Sequence, residues 1–333
     1  MIDVGIGVDI GGSQIKLAAV DRDGRVYYRE SASTLANGSH PRAIVTGFIM
    51  NTQRFLSNLP AGLSVDGFGF CVPCYAQGED WVLGNVTNLP LLEGYPLRPA
   101  LAEVFGSRIS CTYDTNAAGL AEFSWGSGTG FDRVLFMGVG TGISSSFFIR
   151  STGMVSFTFN TIGDTGHIIV DPDSNLECLC GGHGCLEAVA AAPAIRRSAL
   201  QAVNNNSSAY LKGLIEQNGD ISARDVSEAA RTGDPAAIAI FKQTGRYLGI
   251  ALTSYLHIFL PNLIVLGGGV SQAGDLLLDP VKHTVETMAS PWFTKHLHGI
   301  VPSRYGQDAG AVGCACMVYY PEVIHQSNLH PSS

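Results

Sequence analysis

The residues best equipped for chemistry are one histidine and three cysteines close together in the chain, His167, Cys178, Cys180 and Cys185. One imidazole and three thiolates form a donor set that tetrahedral Zn2+ takes. Four protein ligands leave no open position for water, so such a site is structural rather than catalytic. The intervening stretch 171–177 is polar and cannot pack well without a staple of that kind. His183 lies nearby and reads as an exposed loop residue. The other five cysteines (Cys71, Cys74, Cys111, Cys314 and Cys316) lie in apolar surroundings and read as buried small hydrophobes.

Three short glycine turns form the second set: Gly11-Gly12-Ser13, Gly140-Thr141-Gly142 and Gly267-Gly268-Gly269. Phosphate binding needs backbone N–H groups that approach an anion closely, which glycine permits. Any one of these is equally a tight turn, but each follows an apolar strand and the first has a carboxylate two residues ahead. That carboxylate, Asp9, either caps the turn or holds the hydrated Mg2+ of ATP, since carboxylates and water suit that hard ion. Asp114 follows another strand and precedes a helix. It reads either as the helix N-cap or as the base that takes a hydroxyl proton while the oxygen attacks phosphorus.

The elements that must position these groups follow from the apolar pattern. Residues 4–10 predict a strand, 11–13 a turn and 15–20 a second strand, with a hairpin turn at 21–24 and a third strand at 25–29. A helix is predicted from about Pro41, with Ile44, Val45, Phe48 and Ile49 on one face. Residues 67–72 and 108–112 predict buried strands, the second followed by a helix from Asn116 to about Trp125. Near residue 133 the pattern restarts: 134–149 can be laid over 4–20, with Gly138 opposite Asp9 and Gly140 opposite Gly11. Such a duplication predicts two similar domains facing a cleft. Asp234 and Pro235 predict the start of a long helix with Ile238, Phe241, Leu248, Leu252, Leu256 and Phe259 on one face, ending before Pro261.

The bulk numbers agree with this picture. A length of 333 residues suits two domains, and 46% hydrophobic against 14% charged residues argues for a folded chain. No window approaches the roughly 18 apolar residues of a membrane span, and the first residues lack a secretory pattern. A cytoplasmic protein with reduced thiols is therefore expected, with no membrane partner. A net charge of -8 disfavours nucleic acid as a main partner.

Taken in order, these motifs resemble the ROK family (repressors, open reading frames, kinases). Its phosphate motif Asp-x-Gly-Gly-Thr-x-x-Lys is matched by Asp9-Ile-Gly-Gly-Ser-Gln-Ile-Lys16, and its Gly-Thr-Gly loop by Gly140-Thr141-Gly142. Its cysteine motif is matched by Gly166-His167 and Cys178-Leu-Cys-Gly-Gly-His-Gly-Cys-Leu-Glu187. Gly267–Gly269 and 309–314 match its later glycine motifs. The resemblance implies an α/β, two-domain actin-like ATPase (ribonuclease H-like) fold with an interdomain cleft. Residues 1–118 would form the smaller domain, with a helix near 311–323 returning to it, and 119–310 the larger.

The same resemblance implies an ATP-dependent sugar kinase, with Asp114 as its expected general base. Asp9, Gly11, Gly12, Ser13, Lys16, Gly140, Thr141, Gly142, Gly267, Gly268 and Gly269 would serve Mg2+–ATP. Asn88, Asp114, Asp164, His167 and Glu187 would contact the sugar, and His167 would touch zinc as well. A homodimer is implied too.

Departures from the family pattern fall on the sugar side. Tyr113 precedes Asp114 where an asparagine is usual, Asp164 replaces a glutamate, Cys74 replaces a glycine, and Ser144-Ser145-Ser146 replace glycines, as do Phe157 and Asn160. An atypical sugar is therefore expected, with allose-type members sharing the missing asparagine. The alternative is a non-catalytic sugar sensor. The family's repressors carry a helix-turn-helix ahead of the first strand, whereas three residues precede Val4 here.

Overall fold

Alternation of Val, Ile and Gly through Ile2–Ile10 builds β1, a strand buried over most of its length, as expected of the central strand of a mixed sheet. The computed structural model describes residues 1–34, 40–86, 89–157 and 161–324. β2 (Gln14–Val20), β3 (Val26–Ser33), β4 (Leu63–Val72) and β7 (Ile109–Tyr113) join β1 in a five-stranded sheet of order β3-β2-β1-β4-β7. The short strands β5 (Tyr75–Gln77) and β6 (Val82–Gly84) form a separate ribbon. The second sheet has order β10-β9-β8-β11-β12, from β8 (Arg133–Val139), β9 (Ile143–Ile149), β10 (Gly153–Met154), β11 (Leu263–Gly267) and β12 (Gly299–Pro302).

The two orders are the same once each sheet is counted from its own first strand. Setting Asp9 on Gly138 carries β2 onto β9 end to end, Gln14 falling on Ile143 and Val20 on Ile149. The pattern restart near residue 133 is thus a repeat of topology as well as of sequence.

The helices are α1 (Pro41–Ser57), α2 (Leu97–Phe105), α3 (Asp114–Ser124), α4 (Leu186–Ala190), α5 (Ala192–Asn204), α6 (Ala209–Asn218), α7 (Ala223–Arg231), α8 (Pro235–Phe259), α9 (Asp275–Met288), α10 (Pro291–Thr294), α11 (Ala309–Tyr319) and α12 (Pro321–Ile324). α8 begins as its sequence predicts: the Asp234 carboxylate accepts the Ala237 N–H at 2.9 Å, with Pro235 in the first turn. Its buried face differs from the predicted one. Phe241, Leu248, Leu252 and Leu256 are buried, but Ile238 is exposed. Gly245 and Gly249 are buried instead, because α9 lies too close for larger side chains there.

Compactness divides the chain into two units. One comprises Met1–Asp132, Ser146–Gly163 and Gln307–Ser333, and the other Arg133–Ser145 and Asp164–Gly306. In the first unit α11 packs on β1, β4 and α3. A β-carbon on Gly7 would stand 1.8 Å from the Ala311 carbonyl, and one on Gly313 would stand 1.7 Å from the Ala117 carbonyl. Glycine at both positions is what lets the helix lie against sheet and neighbour at this distance. Among the described residues no helix is long and apolar enough to cross a membrane.

Candidate active site and metal centre

In the first unit the parallel strands β1, β4 and β7 end together. Asp9 pairs with Cys71, and Cys71 with Thr112, in one row across the sheet. Asp114 follows two residues beyond Thr112, so topology brings the two carboxylates to the same sheet edge. Carboxyl ends of parallel strands are where open α/β sheets hold ligands.

Asp9 is held from several sides. The Cys71 thiol donates to its Oδ1 at 3.3 Å, and Lys16 is its register partner on β2. A β-carbon at Gly310, in the first turn of α11, would stand 2.6 Å from its Oδ2. Burial raises the Asp9 acid, opposed by the Lys16 charge and the Cys71 hydrogen bond. The Lys16 ammonium donates to the Gln307 carbonyl at 2.8 Å. The Gly11–Ser13 turn is closed by the Gly11 N–H to the Gln14 carbonyl at 2.9 Å. Thr34 clamps that turn from outside, its hydroxyl donating to the Gly11 carbonyl at 2.7 Å and its N–H to the Ser13 carbonyl at 3.1 Å.

Asp114 is the first residue of α3, and Tyr113 occupies the cap position, so the N-cap reading of Asp114 is corrected. Its Oδ1 accepts the Thr115 N–H at 2.6 Å and the Thr115 hydroxyl at 3.2 Å. Burial first, and the nearby Asp9 charge second, push its acid up to about 7, against the lowering effect of the Thr115 hydrogen bonds. A carboxylate with an acid near neutrality, beside a second carboxylate, is fitted to accept a proton at physiological pH.

In the second unit, β8 and β11 run parallel with Gly138 paired to Gly267. The turns Gly140–Gly142 and Gly267–Gly269 therefore leave neighbouring strands at the same edge. The Gly140 N–H donates to the Gly142 carbonyl at 2.9 Å, and the Gly140 carbonyl accepts the Ala192 N–H at 2.8 Å. Thr141 is exposed at the tip. Gly268 has φ 83°, the left-handed region that favours glycine. Just beyond this turn a cavity of about 480 Å3 is lined by Arg231, Gly274, Asp275, Leu276, Asp279 and Pro302 among others.

His167, Cys178, Cys180 and Cys185 come together in the same unit, with all four donor atoms within 4.8 Å of one another. Cys178 Sγ is 3.4 Å from His167 Nδ1, and Cys180 Sγ is 3.6 Å from Cys185 Sγ. Ligand arms of about 2.1 Å to nitrogen and 2.3 Å to sulfur give tetrahedral edges of roughly 3.6–3.8 Å, so the donor set fits zinc. Backbone bonds close the loop around it: the Cys178 N–H to the Gly182 carbonyl at 2.8 Å, and the Val170 N–H to the Gly184 carbonyl at 3.0 Å. His183 is exposed and outside this cluster.

The remaining sugar-side expectations are distributed as follows. Asp164 is exposed, and its carbonyl accepts the His167 N–H at 3.0 Å. Glu187 lies in the first turn of α4, where its Oε2 accepts the Ile143 N–H at 2.8 Å. Asn88 and Asn160 lie outside the described residues. Ser144, Ser145 and Ser146 lie on β9, with the Ser146 hydroxyl donating to the Thr115 carbonyl at 3.1 Å. Sequence reasoning found the motif at 309–314 but not the approach of Gly310 to Asp9, and it missed Thr34 and the bond from Cys71 to Asp9. All five of the remaining cysteines are buried, but Cys71 borders a carboxylate rather than apolar atoms alone.

Comparison with known proteins places these features in context. The description of the ROK family matches residues 5–320. The chain is 30% identical over 315 residues to a glucokinase of Thermotoga maritima, covering 94% of this chain and 96% of that one. It is 30% identical over 320 residues to a glucokinase of Halalkalibacterium halodurans, covering 95% of each. Among solved structures, a ROK family glucokinase from Streptomyces griseus in complex with glucose and AMPPNP superposes with a TM-score of 0.79 at 30% identity. That match covers 94% of this chain and 98% of the other.

Proposed function

This chain belongs to the ROK family, with its actin-like ATPase fold, and is a sugar kinase; we propose that it transfers the γ-phosphoryl group of Mg2+–ATP to the 6-hydroxyl of a hexose or N-acetylhexosamine. The observation that carries the mechanism is Asp114, whose acid lies at about 7 beside Asp9 at the ends of parallel strands. With Oδ1 held by Thr115, Oδ2 is the oxygen we assign to the proton. As the sugar oxygen attacks the γ-phosphorus, its proton passes to Asp114 and ADP leaves with the bridging oxygen. Asp9 is assigned to the hydrated Mg2+ of the nucleotide, and Lys16 with Gly11, Gly12, Ser13, Gly140, Thr141 and Gly142 to its phosphates. The turn Gly267–Gly269 and the cavity beyond it suit the nucleoside end, where apolar walls and the carboxylates of Asp275 and Asp279 can meet a purine and its amine.

His167, Cys178, Cys180 and Cys185 are the residues that would hold Zn2+. Bound there, zinc offers no open coordination position and serves to fix the chain. His167 Nδ1 is the ring atom facing Cys178, so Nε2 is left for a sugar hydroxyl; Asp164, Glu187 and Asn88 are assigned to the sugar as well. Tyr113, Cys74 and Ser144–146 make this an atypical sugar pocket within the proposal. The same reading takes the cytoplasm as its compartment, where ATP and reduced thiols are maintained, and a homodimer as its assembly.

The test is ADP release with Mg2+–ATP across glucose, N-acetylglucosamine, N-acetylmannosamine, allose and amino sugars. One strong responder establishes the reaction and its acceptor together. Silence across the panel from folded, zinc-loaded protein sinks the kinase reading in favour of a non-catalytic sugar sensor.

A further inference from the structure

Glu187 connects three features of the second unit through one carboxylate. It lies two residues after Cys185, and its Oε2 accepts the Ile143 N–H at 2.8 Å. A β-carbon on Gly142 would stand 2.7 Å from that oxygen, and one on Gly166, next to His167, 3.4 Å from it. Backbone bonds flank it on both sides: the Leu186 N–H to the Ile168 carbonyl at 2.9 Å, and the Ala192 N–H to the Gly140 carbonyl at 2.8 Å. The carboxylate thus occupies a niche that glycine at position 142 leaves open.

The Gly140–Gly142 turn is flexible by composition, so its shape depends on how its two ends are held. At the leading end, β8 is fixed by its pairing with β11. At the trailing end, the Ile143 N–H is the first donor of β9, and Glu187 receives it. A turn fixed at both ends presents its N–H groups without first being ordered, and ordering on binding opposes affinity.

We propose that Glu187 is a positioning residue for the nucleotide: by accepting the Ile143 N–H it sets the conformation of the Gly140–Gly142 turn, whether or not a sugar is bound. This rests on the kinase reading, in which that turn holds phosphate. With Oε2 committed to Ile143, Oε1 is the atom left for a sugar hydroxyl. Sugar that immobilises Glu187 then also tightens the nucleotide, and the coupling acts equally in both directions.

The experiment is calorimetric titration of the zinc-loaded protein with Mg2+ and a non-hydrolysable ATP analogue, without sugar, for wild type, Glu187→Gln and Glu187→Asp. Glutamine keeps an oxygen at the right length to accept the Ile143 N–H. Aspartate keeps the charge but falls short of it. Expected are a dissociation constant within about threefold of wild type for Glu187→Gln, and about tenfold weaker for Glu187→Asp. Zinc content and far-ultraviolet circular dichroism should match wild type in both. Unchanged nucleotide affinity in Glu187→Asp, with only the sugar KM altered, overturns the proposal. So does weakening in Glu187→Gln equal to or greater than that in Glu187→Asp, since the retained acceptor would then not be the operative property. Failure of wild type itself to bind the analogue would instead overturn the kinase reading beneath it.

Discussion

Gly310 and Asp9 share one space: a β-carbon at residue 310 would stand 2.6 Å from Asp9 Oδ2. The opposite oxygen receives the Cys71 thiol, so both oxygens of the carboxylate are bounded by neighbours. Gly310→Ala should displace the Asp9 side chain rather than the backbone. The expected result is a loss of about 10- to 100-fold in kcat/KM for ATP, with a thermal midpoint close to wild type. Steady-state kinetics and a melting curve decide it. Full activity would show that Asp9 is not placed as proposed.

Asp114 carries a signature in both rate and stability. Its acid is at about 7 in the fold against an ordinary 3.8, and the base must be ionised to work. kcat should therefore rise with pH along a limb of unit slope centred near 7. Asp114→Asn should lower kcat by about 10^2- to 10^4-fold and abolish that limb.

Linkage gives the opposite sign for stability. Between about pH 4 and 7 the folded chain holds a proton at Asp114 that the unfolded chain has released. That contribution is complete below the lower value and disappears as pH rises through the upper. Asp114→Asn stays neutral throughout. Its stability relative to wild type should rise by about 2–3 kcal/mol between pH 5 and pH 8, the two units of linkage lost between pH 5 and 7. Guanidinium titrations at the two pH values provide the check, and the same difference at both would refute a raised Asp114 acid.

Cys180→Ala deletes the exposed member of the metal set. Bound zinc should fall from about one per chain to below a tenth of that, read by metal analysis of dialysed protein, and the chain should lose several kcal/mol of stability. Unchanged zinc would refute the ligand assignment.

Arg150 supports the first unit without chemistry. Its guanidinium carbon lies 3.7 Å from the Phe123 ring centre, and one nitrogen donates to the carbonyls of Phe123, Gly128 and Phe131 at 3.1–3.3 Å. Lysine cannot reproduce that planar stacking on Phe123. Arg150→Lys should cost about 2 kcal/mol in a denaturant midpoint while kcat at 25 °C holds.

What could be read from the sequence was local in origin. The Asp9–Lys16 segment encodes its own hairpin, and the spacing of Cys178, Cys180 and Cys185 brings three sulfurs together without distant help. The start of α8 is likewise written in Asp234 and Pro235. Partners brought in by the fold were not legible. Gly310 reaches Asp9 through the packing of α11 on β1, and Thr34 closes on Gly11 because β3 lies beside β2. The buried face of α8 was misread for the same reason. Helical periodicity alone does not tell a leucine-sized gap from the glycine-sized one that α9 leaves beside Gly245 and Gly249.

The seating of α11 against β1 has a kinetic consequence. β1 waits for α11, which follows it by about 300 residues, before its glycine-lined face is covered. Contacts of such long sequence separation form late and slowly. During synthesis the first unit therefore remains open while the whole of the second emerges, and the second can fold first. Closure of the first unit thus waits on a segment that lies beyond the second unit in the chain.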